Sequence, residues 1–533
     1  MSDSNRCAVC SNSASQKCAG CHNIYYCSRE HQKSDWKKHK QSCRPYKISC
    51  DATLGRHLIA TRDLKCGEII LQEPPLIWGP PQITIPVCLG CGNAIKRENF
   101  KPCSKCGWPV CSDICEKSPS HIPECQYTVS RGSKVTISTF DTVHPSYQCI
   151  TVLRCLYQKQ FLSEVWKKLE VLQSHCEERK TTPKYERDRE NIAQFTLSFF
   201  KLRNVFSEED ILRVCGILMV NGHEVPLTTP SHVALYEVAS MLEHNCAANC
   251  NKTFTDQGSI LIKAGVNVKK GDHLSICYTD PLWGTANRRH HLYESKFFWC
   301  TCDRCSDPTE FGTNFSAMKC QNSDCSGYLL PPTFLDQSRN GKLQNWVCNK
   351  CALTSSSHHV QEILDRVGQD LHEMKKEDSG VAKEFLKNYA KYLHNNHYYL
   401  TDVRLALGQL LGHEDDRGLP ALTDEDLELK ARLCQMVSNL IKTLAPGESR
   451  IRGLLLFELH AAVAELGRRS CDPHQLIAVL QESKKLLDEA SELLRHQPKR
   501  LPEGKIYVQT QKNMKELEMV LKTLHRNIGD SPV

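Results

Sequence analysis

The chain has 533 residues, a net charge of +7 and 24% charged side chains, enough length for three or four domains. The positive excess is too small to argue for nucleic acid by electrostatics alone, so direct nucleic-acid binding is not expected. The longest apolar runs, such as GILMV at 216–220, are too short to span a bilayer, and no membrane partner is expected. The start, MSDSNRCAVC, lacks the charged-then-apolar pattern of an export signal, so the expected location is cytoplasmic, nuclear or both.

Cysteine is the outlier, with 31 in the chain. In a reducing compartment thiols stay unpaired with one another and are available to metal. In chain order, the first crowd lies at 7–43, CAVCSNSASQKCAGCHNIYYCSREHQKSDWKKHKQSC. Zinc wants four thiolate or imidazole ligands in a tetrahedron. Each C-x2-C turn aims two sulfurs at one ion, and ligands four apart share a helical face. Interleaved pairing is expected: Cys7, Cys10, Cys27 and His31 on one ion, Cys18, Cys21, His39 and Cys43 on the other.

Next, GRHLIATRDLKCGEIILQEPPLIW (55–78) reads as two short strands joined by LKCGE. Residues 88–125 repeat the ligand order with Cys88, Cys91, Cys103, Cys106, Cys111, Cys115, His121 and Cys125. Residues 145–220 read as helical, and FSEEDILRVCGILMV opens on a Ser207-x-x-Asp210 cap. SMLEHNCAANC (240–250) follows, then strand-and-turn sequence over 251–278 with Asp-Gln-Gly and Lys-Lys-Gly-Asp turns. CTCDRC supplies Cys300, Cys302 and Cys305, one short of a tetrahedron, and Cys246 is the candidate fourth ligand. Cys320, Cys325, Cys348 and Cys351 form a further ribbon-like set. From about 356 the pattern is helical, with Leu480, Leu487 and Leu494 on one stripe and Leu517, Leu521 and Leu524 on another. The ligands total 21 cysteines and three histidines, enough for about six closed zinc sites. A closed site leaves no position for water, which argues against metal-dependent hydrolysis.

YYCSREHQKSDWKKHKQSC resembles the second half of a MYND zinc finger, with His31 where cysteine is more usual. GRHLIA…CGEIIL, SMLEHNCAANC, KKGDHLSICYTDP and FFWCTCDRC, in that order, resemble a SET domain of the SET-and-MYND (SMYD) family of protein-lysine methyltransferases. The additional first finger and the extra cluster at 320–351 are similar to an arthropod-type branch of that family. The resemblance implies a multidomain α+β chain. An N-terminal MYND finger (1–46) precedes a β-rich SET domain (47–87 and 226–290). That domain is split by a second MYND-like finger (88–125) and a helical insert (126–225). A post-SET zinc segment (291–355) and a C-terminal α-helical, TPR-like domain (356–533) follow.

It also implies S-adenosyl-L-methionine as cofactor and a protein lysine as substrate. Tyr278 matches the tyrosine that orients the amine and the methyl group. Ser240, Met241, Leu242, Glu243 and His244 match the cofactor-binding turn, Gly55, Arg56 and His57 the strand turn, Phe298 a flanking aromatic and Asn221 a polar contact. Proline-containing peptides are the partners implied for the first finger.

Four positions depart from the family pattern. Glu243 stands where asparagine is usual, and an ionised carboxylate accepts hydrogen bonds without donating any. His57 replaces the second glycine of Gly-x-Gly, Ala248 a proline and Lys296 an aromatic. These departures keep a second reading in play, a zinc-stabilised SET-fold scaffold that binds protein partners through its fingers.

Overall fold

A computed structural model describes residues 6–19, 24–335, 344–414, 417–469 and 472–529. Cys21 and Cys471 therefore lie outside the described residues. No described cysteine takes part in a disulfide, in keeping with metal ligation and not with a disulfide framework.

The first finger pairs Gln16–Lys17 with Tyr25–Tyr26 and continues into the helix Arg29–Cys43, capped by Ser28. The β-rich body begins with Tyr46–Asp51 and Gly55–Ala60, an antiparallel hairpin running from Tyr46↔Ala60 to Asp51↔Gly55. Asp51 Oδ1 accepts the amides of Thr53 and Leu54, both at 2.8 Å, an Asx turn that closes the hairpin. Gly55 completes it in the left-handed region at φ +66°, where a side chain would be strained.

The strand Ile69–Glu73 leaves for another sheet, whose centre is Ile260–Ala264 and whose far edge is Cys250–Phe254. A third sheet orders Ile77–Gly79, His232–Leu235 and His223–Val225. Two short segments, Glu243–His244 and Ser275–Ile276, lie parallel, with Glu243 beside Ser275 and His244 beside Ile276. Leu58, Ile70, Tyr236, Ile262 and Leu274 form the core these pieces share.

The finger at 88–125 packs into the helical insert and shares its core. Trp108, Tyr147, Leu153 and Ile217 belong to one buried cluster, and Trp108 Nε1 donates to Thr128 Oγ1 at 2.9 Å. The insert's last helix, Glu208–Asn221, starts with a complete Ser207–Asp210 capping box, worth ~1 kcal/mol. Beyond the β-rich body come the helix Thr285–Lys296 and a four-stranded ribbon of Met318–Lys319, Tyr328–Leu330, Trp346–Cys348 and Thr354–Ser355.

Among the described residues from Ser357 to Gly529 the chain is an array of helices: Ser357–Glu373 and Ser379–Tyr389 both pack on Tyr398–Leu410, and from there each helix packs on the next as far as Pro502–Gly529. The array docks on the β-rich body through backbone. A Cβ on Gly265 would lie 2.4 Å from Gly447 Cα, and one on Gly447 would lie 2.4 Å from Ala248 O. Among the described residues no helix is long and apolar enough to cross a membrane. The molecule is thus a multidomain α+β protein with a helical C-terminal region, as its sequence leads one to expect.

Candidate active site

Cysteine and histidine side chains gather where their spacing puts them. A Zn–S bond of about 2.3 Å sets a tetrahedral S···S edge of about 3.8 Å, far longer than a disulfide. Within five groups the ligand atoms lie within 4.8 Å of one another. These are Cys7/Cys10/Cys27/His31, Cys88/Cys91/Cys111/Cys115, Cys103/Cys106/His121/Cys125, Cys246/Cys300/Cys302/Cys305 and Cys320/Cys325/Cys348/Cys351. Measured edges include 3.8 Å for Cys91–Cys111, 3.9 Å for Cys103–Cys125 and 3.7 Å for Cys325–Cys348. Cys18 and Cys43 lie 3.5 Å apart, and His39 is buried; the fourth expected member of that set, Cys21, lies outside the described residues.

His121 turns Nε2 toward the Cys106 sulfur, 3.4 Å away, while its Nδ1–H donates to Glu124 Oε1 at 3.0 Å. That fixes the tautomer a metal ligand needs. Buried Arg154 completes the support, donating to both oxygens of Glu124 at 3.1 and 2.9 Å and to Leu89 O at 2.7 Å.

Between the hairpin turn, the insert and the segment 239–243 lies a cavity of about 430 Å³, within the range of small-molecule sites. Nine of the expected site residues line it: Gly55, Arg56, Asn221, Ser240, Met241, Leu242, Glu243, Tyr278 and Phe298. Two do not. His57 is buried behind the turn, its Nδ1–H donating to Gly55 O at 3.0 Å. His244 also lies behind the wall: its Nδ1 accepts the amide of Tyr278 at 3.0 Å and its Nε2 faces Cys246 Sγ at 3.3 Å. With Nδ1 occupied as an acceptor, His244 is a strut between a metal cluster and Tyr278 and not a proton shuttle.

Each lining group has a defined state. The Tyr278 hydroxyl donates to the carbonyl of Leu242, and burial, helped by the Glu243 charge, pushes its phenol well up. It is a neutral hydrogen-bonding group. Glu243 Oε2 accepts from His273 Nδ1 at 2.8 Å, and His273 stacks on His57 with centroids 4.6 Å apart. The carboxylate is therefore partnered from within the chain. Asn221 Nδ2 donates to Gln173 O at 2.7 Å and to Ile217 O at 2.9 Å, which leaves its Oδ1 to accept from a ligand. Ser240 Oγ donates to Tyr236 O at 2.7 Å and is no nucleophile. Lys296 Nζ donates to Val220 O at 2.7 Å and lies 5.8 Å from the Tyr278 ring centroid. Burial, with the Lys252 charge, lowers its amine to about 8.

Several positioning residues escape a reading of the sequence. Glu73 caps the turn that carries Ser240 and Met241, accepting from the amides of Glu237 at 2.7 Å, Val238 at 3.0 Å and Ala239 at 3.0 Å. Lys252, His175 and His223 also line the cavity, and His273 partners Glu243. Their strand and loop neighbours carry no ligand spacing, so only the fold brings them in.

Comparison with known proteins matches a MYND finger at residues 7–43 and a SET domain at residues 55–279. The chain is 28% identical over 312 residues to the SET domain-containing protein SmydA-8, isoform A, of Drosophila melanogaster, covering 57% of this chain and 64% of that protein. It is 26% identical over 327 residues to the histone-lysine N-methyltransferase ASHR1 of Arabidopsis thaliana, covering 58% and 64%. It is also 26% identical over 284 residues to human histone-lysine N-methyltransferase SMYD3, covering 49% and 62%. The match thus spans less than two thirds of each of these relatives. The chain thus carries a MYND finger followed by a SET domain, and over that stretch it is similar to SET-domain proteins of this kind.

Proposed function

We propose that the protein transfers a methyl group from S-adenosyl-L-methionine to a lysine of a protein substrate. The carrying observation is that nine expected residues from five distant segments line one cavity, Tyr278 among them. The donor set fits a zwitterion. Arg56 offers a cation to a carboxylate, while Asn221 Oδ1 and Glu243 accept from an amino group. When bound, the cofactor supplies an electrophilic methyl on a sulfonium. The remaining work belongs to the chain. Tyr278 lines a second cleft of about 260 Å³, with Asp280, Pro281 and Gly447, so it stands between a cofactor side and a substrate side. Its neutral hydroxyl, held by the Leu242 carbonyl, orients a target amine without removing a proton.

The test is transfer of a labelled methyl group to protein in an extract, with Tyr278→Phe as the control. Activity is expected to fall roughly a hundredfold in the variant. Undetectable transfer by the wild type, together with undetectable cofactor binding in calorimetry, would overturn the reading.

A second reading, partner capture by the first finger, is favoured by Trp36, which is 42% exposed beside His39. An indole face there offers a surface on which a proline ring packs. It predicts that Trp36→Ala loses peptide binding while Tyr278→Phe keeps it.

A further inference from the structure

The strand Cys250–Phe254 carries a lysine where its pattern calls for an apolar side chain. Cys250 and Phe254 belong to the core that the β-rich body shares. Side chains two apart lie on one face of a strand, so Lys252 sits on that same face. Its register partner across the sheet is Ile262, itself fully buried. The Lys252 side chain is accessible even so, and the space it reaches is the two cavities. It lines both, and Tyr278 is the one other described residue that does. Its amine has no hydrogen bond and no ion pair among the described residues.

A charged amine held this deep without a partner is costly. Burial accordingly lowers it, and Glu224 and Glu448 oppose the shift only in part. A larger share than in a surface lysine is therefore neutral, with its lone pair free. The two cavities adjoin at Tyr278 and Lys252, so a lysine entering beside Asp280 and Gly447 would meet a methyl donor at that junction. Lys252 brings an amine to the same place from within the chain, and the tether gives it an effective concentration above that of any free substrate. Lys296 is the other lysine of the larger cavity, but its Nζ is held by Val220 O at 2.7 Å and it does not line the second cleft.

We infer that Lys252 is itself a methyl acceptor, a lysine that the chain supplies to its own cavity. The inference rests on the proposed binding of S-adenosyl-L-methionine beside Tyr278. The neutral amine gives its lone pair to the methyl carbon as the carbon–sulfur bond breaks. The sulfur keeps the bonding pair and leaves as the thioether of S-adenosylhomocysteine, and the methylated ammonium passes one proton to water.

The experiment incubates the full-length, zinc-loaded protein alone with S-adenosyl-L-methionine carrying a deuterated methyl group, and maps the label by mass spectrometry of the digest. A heavy methyl is expected on Lys252, with a rate constant unchanged over about a hundredfold dilution of the protein, as an intramolecular step requires. Lys252→Arg is expected to bring the label to background at an unchanged melting temperature. A second measurement needs no transfer: trace acetylation of the protein's amines with acetic anhydride. Lys252 is expected to react, and S-adenosylhomocysteine at ~10 times its Kd to slow that reaction about tenfold, because about one site in eleven is then empty. Cofactor binding by calorimetry and transfer to extract protein are read alongside. Cofactor binding and label on extract protein, with none on Lys252, would overturn the inference and leave the proposed methyl transfer standing; no binding and no transfer anywhere would overturn both. A rate constant that rises with protein concentration, label persisting in Lys252→Arg, or acetylation of Lys252 indifferent to S-adenosylhomocysteine would each overturn the inference as well.

Discussion

Cys246 joins a metal cluster to the wall of the Tyr278 cavity. Its sulfur lies 3.5 Å from Cys305 and 4.0 Å from Cys300, and it receives Arg288 Nε–H at 3.3 Å. Four thiolates around Zn²⁺ carry a net charge of −2, which Arg288 partly offsets while Glu310 holds its other nitrogens at 3.1 Å. Through His244 the same sulfur fixes the amide of Tyr278. Lys296, its Nζ 5.8 Å from the centroid of that ring, works against any bound cation. Burial first, and then the Lys252 charge, lower its amine to about 8, so it is an ammonium below that pH and a neutral amine above it. A cationic methyl donor is therefore expected to bind more tightly as pH rises through about 8. In Lys296→Met that rise should vanish, with affinity at pH 7 about tenfold above wild type, a change of ~1.4 kcal/mol that one buried charge readily supplies. Calorimetry with the donor at pH 7 and pH 9 checks this, and a parallel rise in the variant would contradict it. Glu243, His244 and Cys246 were legible as a unit because they sit within four residues. The partner of Glu243 was not, since His273 reaches it through tertiary pairing alone: Glu243 beside Ser275, the bridge between Ile59 and His273, and the stack on His57.

At the scale of elements, the cavity depends on pieces that the sequence separates widely. The Glu73 side chain caps 237–239, the parallel pair Glu243–His244 and Ser275–Ile276 sets the wall, and the helical array closes the second cleft. The array is seated at the Gly265–Gly447 contact, with Gly447 N donating to Ala248 O at 3.1 Å and Arg304 reaching Leu444 O at 3.2 Å. Gly447→Val leaves no room for its side chain. It is expected to destabilise the protein by ~1–3 kcal/mol and to open the seam to protease near 445–451. Limited proteolysis with a melting curve reads both, and a wild-type pattern would contradict the close approach. Local signals located the elements well: the Ser207 capping box and the strand runs GRHLIA and EIILQ are formed. Their partners were illegible. GRHLIA pairs with its neighbour Tyr46–Asp51, whereas EIILQ pairs with Ile260–Ala264, nearly 200 residues on, and a strand's own pattern does not name a distant partner.

At the scale of the whole molecule, the ligand clusters and the helical array are held by different forces. The clusters lie between Cys7 and Cys351, and structural zinc contributes ~10–16 kcal/mol of folding free energy in isolated fingers. That is comparable to the ~5–15 kcal/mol net stability of an ordinary domain. The helices from Ser357 onward carry apolar cores of their own, such as Val437, Leu455 and Leu459, and Leu480 with Leu517 and Leu521. A strong chelator is therefore expected to separate the two halves. Near-ultraviolet signals from the buried Trp108 should be lost and the front should become protease-sensitive, while a fragment covering the helices should persist and retain far-ultraviolet helical signal. Metal analysis should release about six zinc ions per chain, and Cys246→Ser should release one fewer. Because His244 links that cluster to Tyr278, the same variant is expected to lose cofactor affinity while the distant fingers stay folded. If zinc leaves with no change in the front half, or if Cys246→Ser keeps both its ion and its cofactor affinity, the metal does not hold the wall of the Tyr278 cavity.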